Sequence, residues 1–316
     1  MSYARPQQVY TPQDLSAALT FLAEHRHEGW QPLAGGTDVM VGLYRDRRGG
    51  DRWLNLARLH RELAEIRWLA EPTGRIAVGA LTTMAELYRS PLIQHACPLL
   101  AEAASHVGAV QVQQRATVGG NIANGSPAAD TLPAWLALDA QFELMSVRGR
   151  RTIACDQFAT GYRRNSLEPD ELLTGVTFAP RLGRRQWGYF RKVAPRLAQG
   201  ISKVVFTGLI DIETGRCQHV RLAWGSLGPT VLRTRQAEQA TEGRLAPSEA
   251  SAEPAPPDTS DGSSDSHSVS LLRTELHPID DARSTAAYRH QVACNLLREF
   301  LAGHLGSLHL PELRAS

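Results

Sequence analysis

The sequence feature that most constrains the fold is a pair of glycine-rich motifs in the first half of the chain. The first is Ala34-Gly35-Gly36-Thr37-Asp38, and the second runs from Ala116 to Asp130. Adjacent glycines let the backbone bend sharply and approach a ligand, because no Cβ stands in the way. Consecutive backbone N–H groups in such turns form anion-binding nests. Two such motifs on one chain could clamp a single diphosphate from both sides.

The first motif follows a short apolar run at residues 31–34 that is typical of a strand. Thr37 adds a hydroxyl donor to the backbone N–H groups of the two glycines. Taken alone, the motif is more typical of a simple glycine turn between two strands than of a ligand site, since a second apolar run, Val39 to Tyr44, follows it.

The second motif reads ATVGGNIANGSPAAD and contains no lysine or arginine. Its small polar residues could offer many neutral donors to a pyrophosphate, and Asp130 could accept hydrogen bonds from sugar hydroxyls. The alternative is a long surface loop over residues 108–130. An apolar rhythm within the motif favours a tightly packed segment; its members are Val118, Ile122, Ala123 and Ala128.

Hydrophobic periodicity predicts a mixed α+β chain without regular βαβ alternation. The fingerprint G-x-G-x-x-G is absent from the sequence, so a dinucleotide would bind on a fold other than the Rossmann fold. Helices are expected at residues 13–25 (started by Thr11-Pro12), 82–88 (capped by Thr82 or Thr83), 98–107, 132–138 and 284–304. Strands are expected at 53–56, in a hairpin over 64–80, at 141–147, 150–153 and 171–178, and in an antiparallel sheet over 186–233.

Composition excludes several classes of partner and site. The 316 residues carry a formal net charge of +2, which gives no reason to expect nucleic acid or an acidic membrane surface as a partner. No apolar run approaches a membrane span, and the N-terminus has no secretory pattern, so the expected location is cytoplasmic. Four cysteines without a CxxC pair predict no metal or iron–sulfur site on this chain.

Both motifs resemble the FAD-binding (medium) subunit of the xanthine dehydrogenase and carbon monoxide dehydrogenase family, the molybdenum hydroxylases. The resemblance covers essentially the whole chain except about residues 235–275. It implies a p-cresol methylhydroxylase-type FAD-binding fold with a C-terminal domain of antiparallel sheet plus helices. Further matching segments are Glu171-Leu172-Leu173, Phe190-Arg191-Lys192-Val193, Pro278-Ile279-Asp280-Asp281-Ala282-Arg283 and Tyr288-Arg289.

The resemblance also implies a domain division and a set of cofactor contacts. The FAD-binding domain would span residues 1–180 in two lobes, about 1–57 and 58–180, and the C-terminal domain would span 181–316. The first motif would wrap the FAD pyrophosphate with Leu33, Ala34, Gly35, Gly36, Thr37, Asp38 and Val39. The second would line the cofactor with Thr117, Gly120, Asn121 and Asn124, Asp130 would hold a ribose or ribityl hydroxyl, and Leu173 and Lys192 would flank the flavin ring.

In such an assembly the substrate would react on a large molybdenum-cofactor subunit. Electrons would cross [2Fe-2S] clusters on a small subunit to FAD here, and then pass to NAD+ or another acceptor. FAD is expected to be non-covalent, because no histidine follows the first glycine pair. No catalytic residue is nominated on this chain, and His106 is expected to serve packing or to lie at the surface.

Two alternatives differ in class. A stand-alone flavoenzyme of the same fold, such as a cell-wall sugar-nucleotide reductase, would turn over without partners, although the second motif fits that family poorly. A scaffold subunit that has lost FAD would be colourless. Residues 246–270 are rich in serine, proline, alanine and acidic residues, so a mobile loop or linker is expected there.

Overall fold

Short strands and helices alternate in the first part of the chain. The structure is a computed structural model that describes residues 8–45, 50–69, 74–180, 185–246, 266–303 and 308–309. Three parallel strands form a sheet in the order β1–β3–β2, and they are β1 (Gln8–Tyr10), β2 (Gln31–Leu33) and β3 (Arg52–Asn55). The helices between them are α1 (Leu15–Glu24) and α2 (Thr37–Arg45), and a 3-10 turn (Ala57–Leu59) and α3 (His60–Leu63) follow.

Two details of this lobe differ from the sequence predictions. Helix α1 begins at Leu15, two residues after the predicted start at residue 13, because the Asp14 side chain accepts a hydrogen bond from the backbone N–H of Ala17 and caps the helix. The apolar run after the first glycine motif is the helix α2 rather than a strand, so the motif is not a turn between two strands.

An antiparallel sheet forms the middle of the molecule, in the order β4–β5–β10–β6–β7. Its strands are β4 (Ile66–Leu69), β5 (Arg75–Gly79), β6 (Gln141–Ser146), β7 (Gly149–Ala154) and β10 (Leu172–Phe178), and a small hairpin adds β8 (Ala159–Gly161) and β9 (Arg164–Asn165). The predicted hairpin over 64–80 is confirmed by the pairing of Ile66 with Val78. Residues 70–73 between its two strands lie outside the described residues.

Helices connect strands of this middle sheet. They are α4 (Met84–Arg89), α5 (Pro91–Ala96), α6 (Pro98–Ser105), α7 (Val110–Gln113), α8 (Val118–Ala123), α9 (Leu132–Ala137) and α10 (Cys155–Phe158). Of these, α8 packs on β10, and α10 packs on β6 and β7. Thr83 caps α4 in a capping box with Glu86, which confirms the predicted cap. The loop expected over 108–130 contains α7 and α8, so the loop prediction is wrong there.

The C-terminal part carries a second antiparallel sheet, in the order β14–β13–β12–β11–β15. Its strands are β11 (Arg185–Val193), β12 (Val204–Glu213), β13 (Arg216–Gly225), β14 (Leu232–Arg233) and β15 (Leu308–His309). The chain turns between β12 and β13 at Thr214 and Gly215, whose φ angles are 49° and 73°. Both central residues at positive φ are typical of a type I′ hairpin turn.

Three helices pack on that sheet, namely α11 (Arg235–Thr241), α12 (His267–Glu275) and α13 (Ala286–Ala302). Thr285 caps α13, and Gly303 ends it at a φ of 73°. The predicted low-complexity segment 246–270 ends too late, because α12 begins at His267 and buries Val269. Most of that segment lies outside the described residues.

The largest hydrophobic cluster joins the middle sheet, its helices and the C-terminal sheet. It contains Phe142 and Phe178 from one side and Phe190, Val205 and Ala223 from the other. This shared core holds the two parts together, and the domain boundary at residue 180 stays a prediction. The α+β fold class is confirmed. Within the described part of the chain, no helix is both long and apolar enough to cross a bilayer.

Candidate functional site

The first glycine motif forms a tight turn between β2 and α2. Gly36 has a φ of +74°, a backbone conformation that residues with a Cβ adopt only with strain. A Cβ on Gly35 would lie 1.9 Å from the carbonyl oxygen of Arg115, just before the second motif. Glycine is therefore required at position 36 by the turn and at position 35 by the close approach of the two motifs.

The backbone N–H groups of this turn are available to a ligand. Among the described residues, no acceptor is found for the amides of Gly35, Gly36 and Thr37. All three stand at the N-terminal end of α2, where unsatisfied N–H groups and the helix dipole favour an anion. A phosphate is the chemical group that such a turn binds best.

The second motif uses its backbone N–H groups differently. Thr117 caps α8, since its hydroxyl oxygen accepts a hydrogen bond from the Gly120 N–H at 3.1 Å. The amides of Val118 and Gly119 donate to the carbonyl oxygens of Thr82 and Ala80 at 2.8 and 2.7 Å. The N-terminus of α8 is therefore satisfied by protein atoms and has little capacity left for a phosphate.

Side chains of the second motif join it to the first. Asn124 donates through Nδ2 to Asp38 Oδ2 at 2.8 Å. Asn121 accepts through Oδ1 from the hydroxyl of Thr131 at 2.6 Å, which fixes the orientation of its amide. Together with the contact of Gly35 on Arg115, the Asn124–Asp38 bond holds the two motifs at one place in the fold.

A buried ion pair lies at the end of the second motif. Lys192 Nζ is 2.6 Å from Asp130 Oδ2, and the two side chains are 3% and 9% exposed. Lys192 also donates to the carbonyl oxygen of His106 at 2.9 Å. Burial raises the pKa of Asp130 to about 6 although the charge of Lys192 opposes the shift. The other carboxylate oxygen, Oδ1, is buried and has no hydrogen-bond partner in the structure as described.

The remaining predicted contacts are less closely joined. Leu173 lies on β10 beside a register irregularity, is 9% exposed, and belongs to the same hydrophobic cluster as Val118 and Ile122 of α8. Leu33, Ala34 and Val39 are half-buried around the first motif.

His106 packs its ring on Phe190, with the ring centroids 5.5 Å apart. Burial, followed by the charges of Lys192 and Arg191, lowers the pKa of His106.

Sequence reasoning missed several partners of the site. Thr131 directly follows the second motif and could have been included on that ground. Nothing in the sequence signals the carbonyl oxygens of Ala80, Thr82 and His106 as acceptors, because these contacts depend on the tertiary fold. Asp130 and Lys192 were each predicted to contact the cofactor, so their pairing with each other was not predicted.

The site fits a dinucleotide such as FAD on two observations. Three free amides at the first motif suit a pyrophosphate, and the partnerless Oδ1 of buried Asp130 suits a hydroxyl donor. Within the described ranges, no group of three or more histidine, cysteine, aspartate or glutamate side chains could hold a metal ion. The role of each residue toward the cofactor stays a prediction.

Known protein families match both parts of the chain. The family described as "FAD binding domain in molybdopterin dehydrogenase" matches residues 5–180, and "CO dehydrogenase flavoprotein C-terminal domain" matches residues 189–303. The putative xanthine dehydrogenase FAD-binding subunit of Escherichia coli K12 is 35% identical over 230 residues, which are 72% of this chain and 76% of that protein. The nicotinate dehydrogenase FAD-subunit of Eubacterium barkeri is 30% identical over 73% of this chain and 77% of its own length.

A solved structure supports the fold. Carbon monoxide dehydrogenase from Hydrogenophaga pseudoflava superposes with a TM-score of 0.82 over 94% of this chain and 96% of that chain, at 24% identity. This confirms the predicted FAD-binding fold, and the family matches confirm the predicted relationship. The chain therefore belongs to the family of FAD-binding subunits of molybdopterin dehydrogenases, the molybdenum hydroxylases.

Proposed function

We propose that this chain holds FAD non-covalently at the two glycine motifs and carries electrons within a molybdenum hydroxylase that resembles xanthine dehydrogenase. The observation that carries the proposal is the set of three free amides at Gly35, Gly36 and Thr37, fixed beside the second motif by the Asn124–Asp38 bond. Bound FAD would supply the redox chemistry, since a flavin accepts and releases electrons, whereas the protein supplies position and electrostatics.

The chain's own residues would then have three tasks. The first motif would bind the pyrophosphate, Asp130 Oδ1 would accept a hydrogen bond from a sugar or ribityl hydroxyl, and Lys192 would place a buried positive charge near the ring. Leu173 would supply apolar contact. The part of the FAD site formed by the second motif would be lined by Thr117, Gly120, Asn121 and Asn124.

The proposal includes two partner subunits and an acceptor. A large subunit would hold the molybdenum cofactor, a small subunit would hold [2Fe-2S] clusters, and NAD+ or another acceptor would take the electrons. The names of the relatives support an assembly, since several of them are called subunits or medium chains. The xanthine dehydrogenase subunit, at 35% identity, supports a xanthine-like enzyme more than the 28% identical carbon monoxide dehydrogenase chain does. A cytoplasmic location is part of the proposal, and four buried cysteines that form no disulfide within the described ranges suit a reducing compartment.

The test is an absorption spectrum of the purified full chain, followed by acid release of the chromophore. We expect the two visible bands of oxidised flavin and FAD in the acid supernatant. Reduction of the bound flavin should then require the co-purified partner subunits and their substrate. A chain that turns over alone would instead be a stand-alone flavoenzyme, and a colourless chain that takes up no added FAD would be a scaffold subunit.

A further inference from the structure

Ser226 occupies a strained position at the end of β13. Its φ angle is +64°, and the residue is 4% exposed. A non-glycine residue held in this region costs about 1–3 kcal/mol and persists only where its surroundings fix it. All three of its polar groups are used. The N–H donates to the Pro127 carbonyl oxygen at 2.9 Å, the hydroxyl pairs with Ser202 at 2.7 Å, and the carbonyl oxygen accepts from Arg289 Nη1.

Arg289 on helix α13 holds the backbone of Ser226 in place through its carbonyl oxygen. It is 1% exposed, and Nη1 also donates to the Lys203 carbonyl oxygen at 3.0 Å. Its Nη2 donates to Asp281 Oδ1 at 2.5 Å. Because guanidinium is planar and carries five donors, one side chain can hold two carbonyl oxygens and a carboxylate in fixed relative positions.

Asp281 is a pre-arranged partner for this guanidinium. Its Oδ1 also accepts from the backbone N–H groups of Arg283 and Ser284 at 2.8 and 3.1 Å. Partial burial by itself would raise the pKa of Asp281, but these hydrogen bonds and Arg289 hold it below its ordinary value. The carboxylate therefore stays charged and anchors Arg289 at neutral pH.

The other end of this chain of contacts lies inside the second glycine motif. Pro127 stands between Asn124, which is bonded to Asp38 of the first motif, and Asp130, which is paired with Lys192. The end of β13 is pressed closely on this segment, because a Cβ on Gly225 would lie 3.0 Å from Pro133 and 3.4 Å from the Pro127 carbonyl oxygen. A displacement of Ser226 would therefore move the segment that carries both contacts.

We propose that Asp281, Arg289 and Ser226 are positioning residues for the FAD site, through which the C-terminal helix α13 sets the place of residues 124–130. The inference rests on the proposed function, since it assumes that those residues line bound FAD. Arg289 acts through Ser226 and Pro127, and Asp281 acts through Arg289.

The experiment titrates FAD into the full chain, stripped of flavin, and follows both the affinity and the visible circular dichroism of the bound flavin. For Arg289→Gln we expect about tenfold weaker binding and an altered dichroism spectrum. The matched control is Leu297→Ala on the same helix, which removes buried apolar volume two turns away from Arg289. This control should lose thermal stability while its affinity stays within twofold of the wild type and its spectrum is unchanged.

A milder variant keeps the proposal testable if Arg289→Gln does not fold. Asp281→Asn retains the shape but loses the charge, and we expect about threefold weaker binding.

The inference is overturned if neither Arg289→Gln nor Asp281→Asn changes the affinity by more than twofold. It is also overturned if Leu297→Ala weakens binding as much as Arg289→Gln, because loss of stability alone would then explain the effect. A wild-type chain that binds no FAD contradicts the proposed function itself, before any variant is measured.

Discussion

The two glycine motifs look alike in sequence but serve different physical purposes. In the first, the amides of Gly35, Gly36 and Thr37 at the start of α2 have no acceptor among the described residues. In the second, the glycines allow α8 to press against Ala80, where a Cβ on Gly119 would lie 2.7 Å from the Ala80 side chain. The amides of Val118, Gly119 and Gly120 at the start of α8 donate to Thr82, Ala80 and Thr117.

Glycine content alone therefore does not identify a phosphate site. The sequence suggested that both motifs clamp one diphosphate, whereas the structure shows that the amides at the start of α8 bond to protein atoms and that those of Gly35, Gly36 and Thr37 at the start of α2 have no acceptor among the described residues. The second motif supports the first, since Arg115, directly before it, lies against Gly35 and Asn124 donates to Asp38.

Gly35→Ala should have the largest effect. The new Cβ would stand 1.9 Å from the Arg115 carbonyl oxygen, and since this contact is with backbone, the two motifs must move apart. We expect FAD binding to weaken by more than about 100-fold, or roughly 3 kcal/mol, in a fluorescence titration. Gly161→Ala is the matched control, because the nearest atom to its Cβ would be 4.0 Å away. Equal affinities for the two variants would contradict the close approach.

Asp130 should make the stability of the flavin-free protein fall as pH rises. Burial raises its pKa from 3.8 to about 6. Between these values the group is protonated in the folded chain and ionised in the unfolded chain, so its favourable contribution is complete below about pH 4 and lost by about pH 6. The difference in unfolding free energy between wild type and Asp130→Asn should shrink by about 1–3 kcal/mol over that range, measured by urea unfolding. A difference that stays constant with pH would show that Asp130 titrates normally.

Gly36→Ala and Gly29→Ala form a matched pair. Their φ angles are +74° and +75°, so both substitutions impose the same backbone strain and should lower the melting temperature similarly. Only Gly36 belongs to the turn at the start of α2. We expect about tenfold weaker FAD binding for Gly36→Ala and an unchanged affinity for Gly29→Ala, and similar affinities for both would remove the special role of the first turn.

Asn124→Ala should have the smallest effect. It removes the exposed hydrogen bond that joins the motifs, which is worth about 0.5–1 kcal/mol. FAD binding should weaken about threefold. In a double-mutant cycle, Asp38→Ala should add little once Asn124 is gone, and fully additive effects would show that the bond does not couple the motifs.

Local patterns were enough to predict much of the fold. The hairpin from Ile66, the Thr83 cap and the antiparallel C-terminal sheet depend on contacts between near neighbours in sequence. Helix α8 could not be read in this way, because paired glycines and asparagines are poor helix formers. Its formation depends on the carbonyl oxygens of Ala80 and Thr82, which accept its first amides. The spacing of Val118 and Ile122, both fully buried, was the available sign of a helix.

The candidate site could be located but not assembled from the sequence. Gly35, Thr117 and Asp130 were all nominated, yet which amides are free depends on tertiary contacts. Ser226 carried no signal at all, since its role follows from a backbone conformation and a bond to Pro127. Arg289 belonged to a matching segment, but its burial against Ser226 and Lys203 required the structure.

We propose that the free amides of the first motif hold the pyrophosphate of FAD. The most direct measurement compares the affinities of the full chain for FAD and for riboflavin, which lacks phosphate, in the wild type and in Gly35→Ala. The account predicts that the wild type binds FAD more than about 100-fold more tightly than riboflavin, and that Gly35→Ala removes most of this preference. Equal losses of affinity for both ligands in Gly35→Ala would contradict the account, because the first motif would then contribute nothing specific to phosphate.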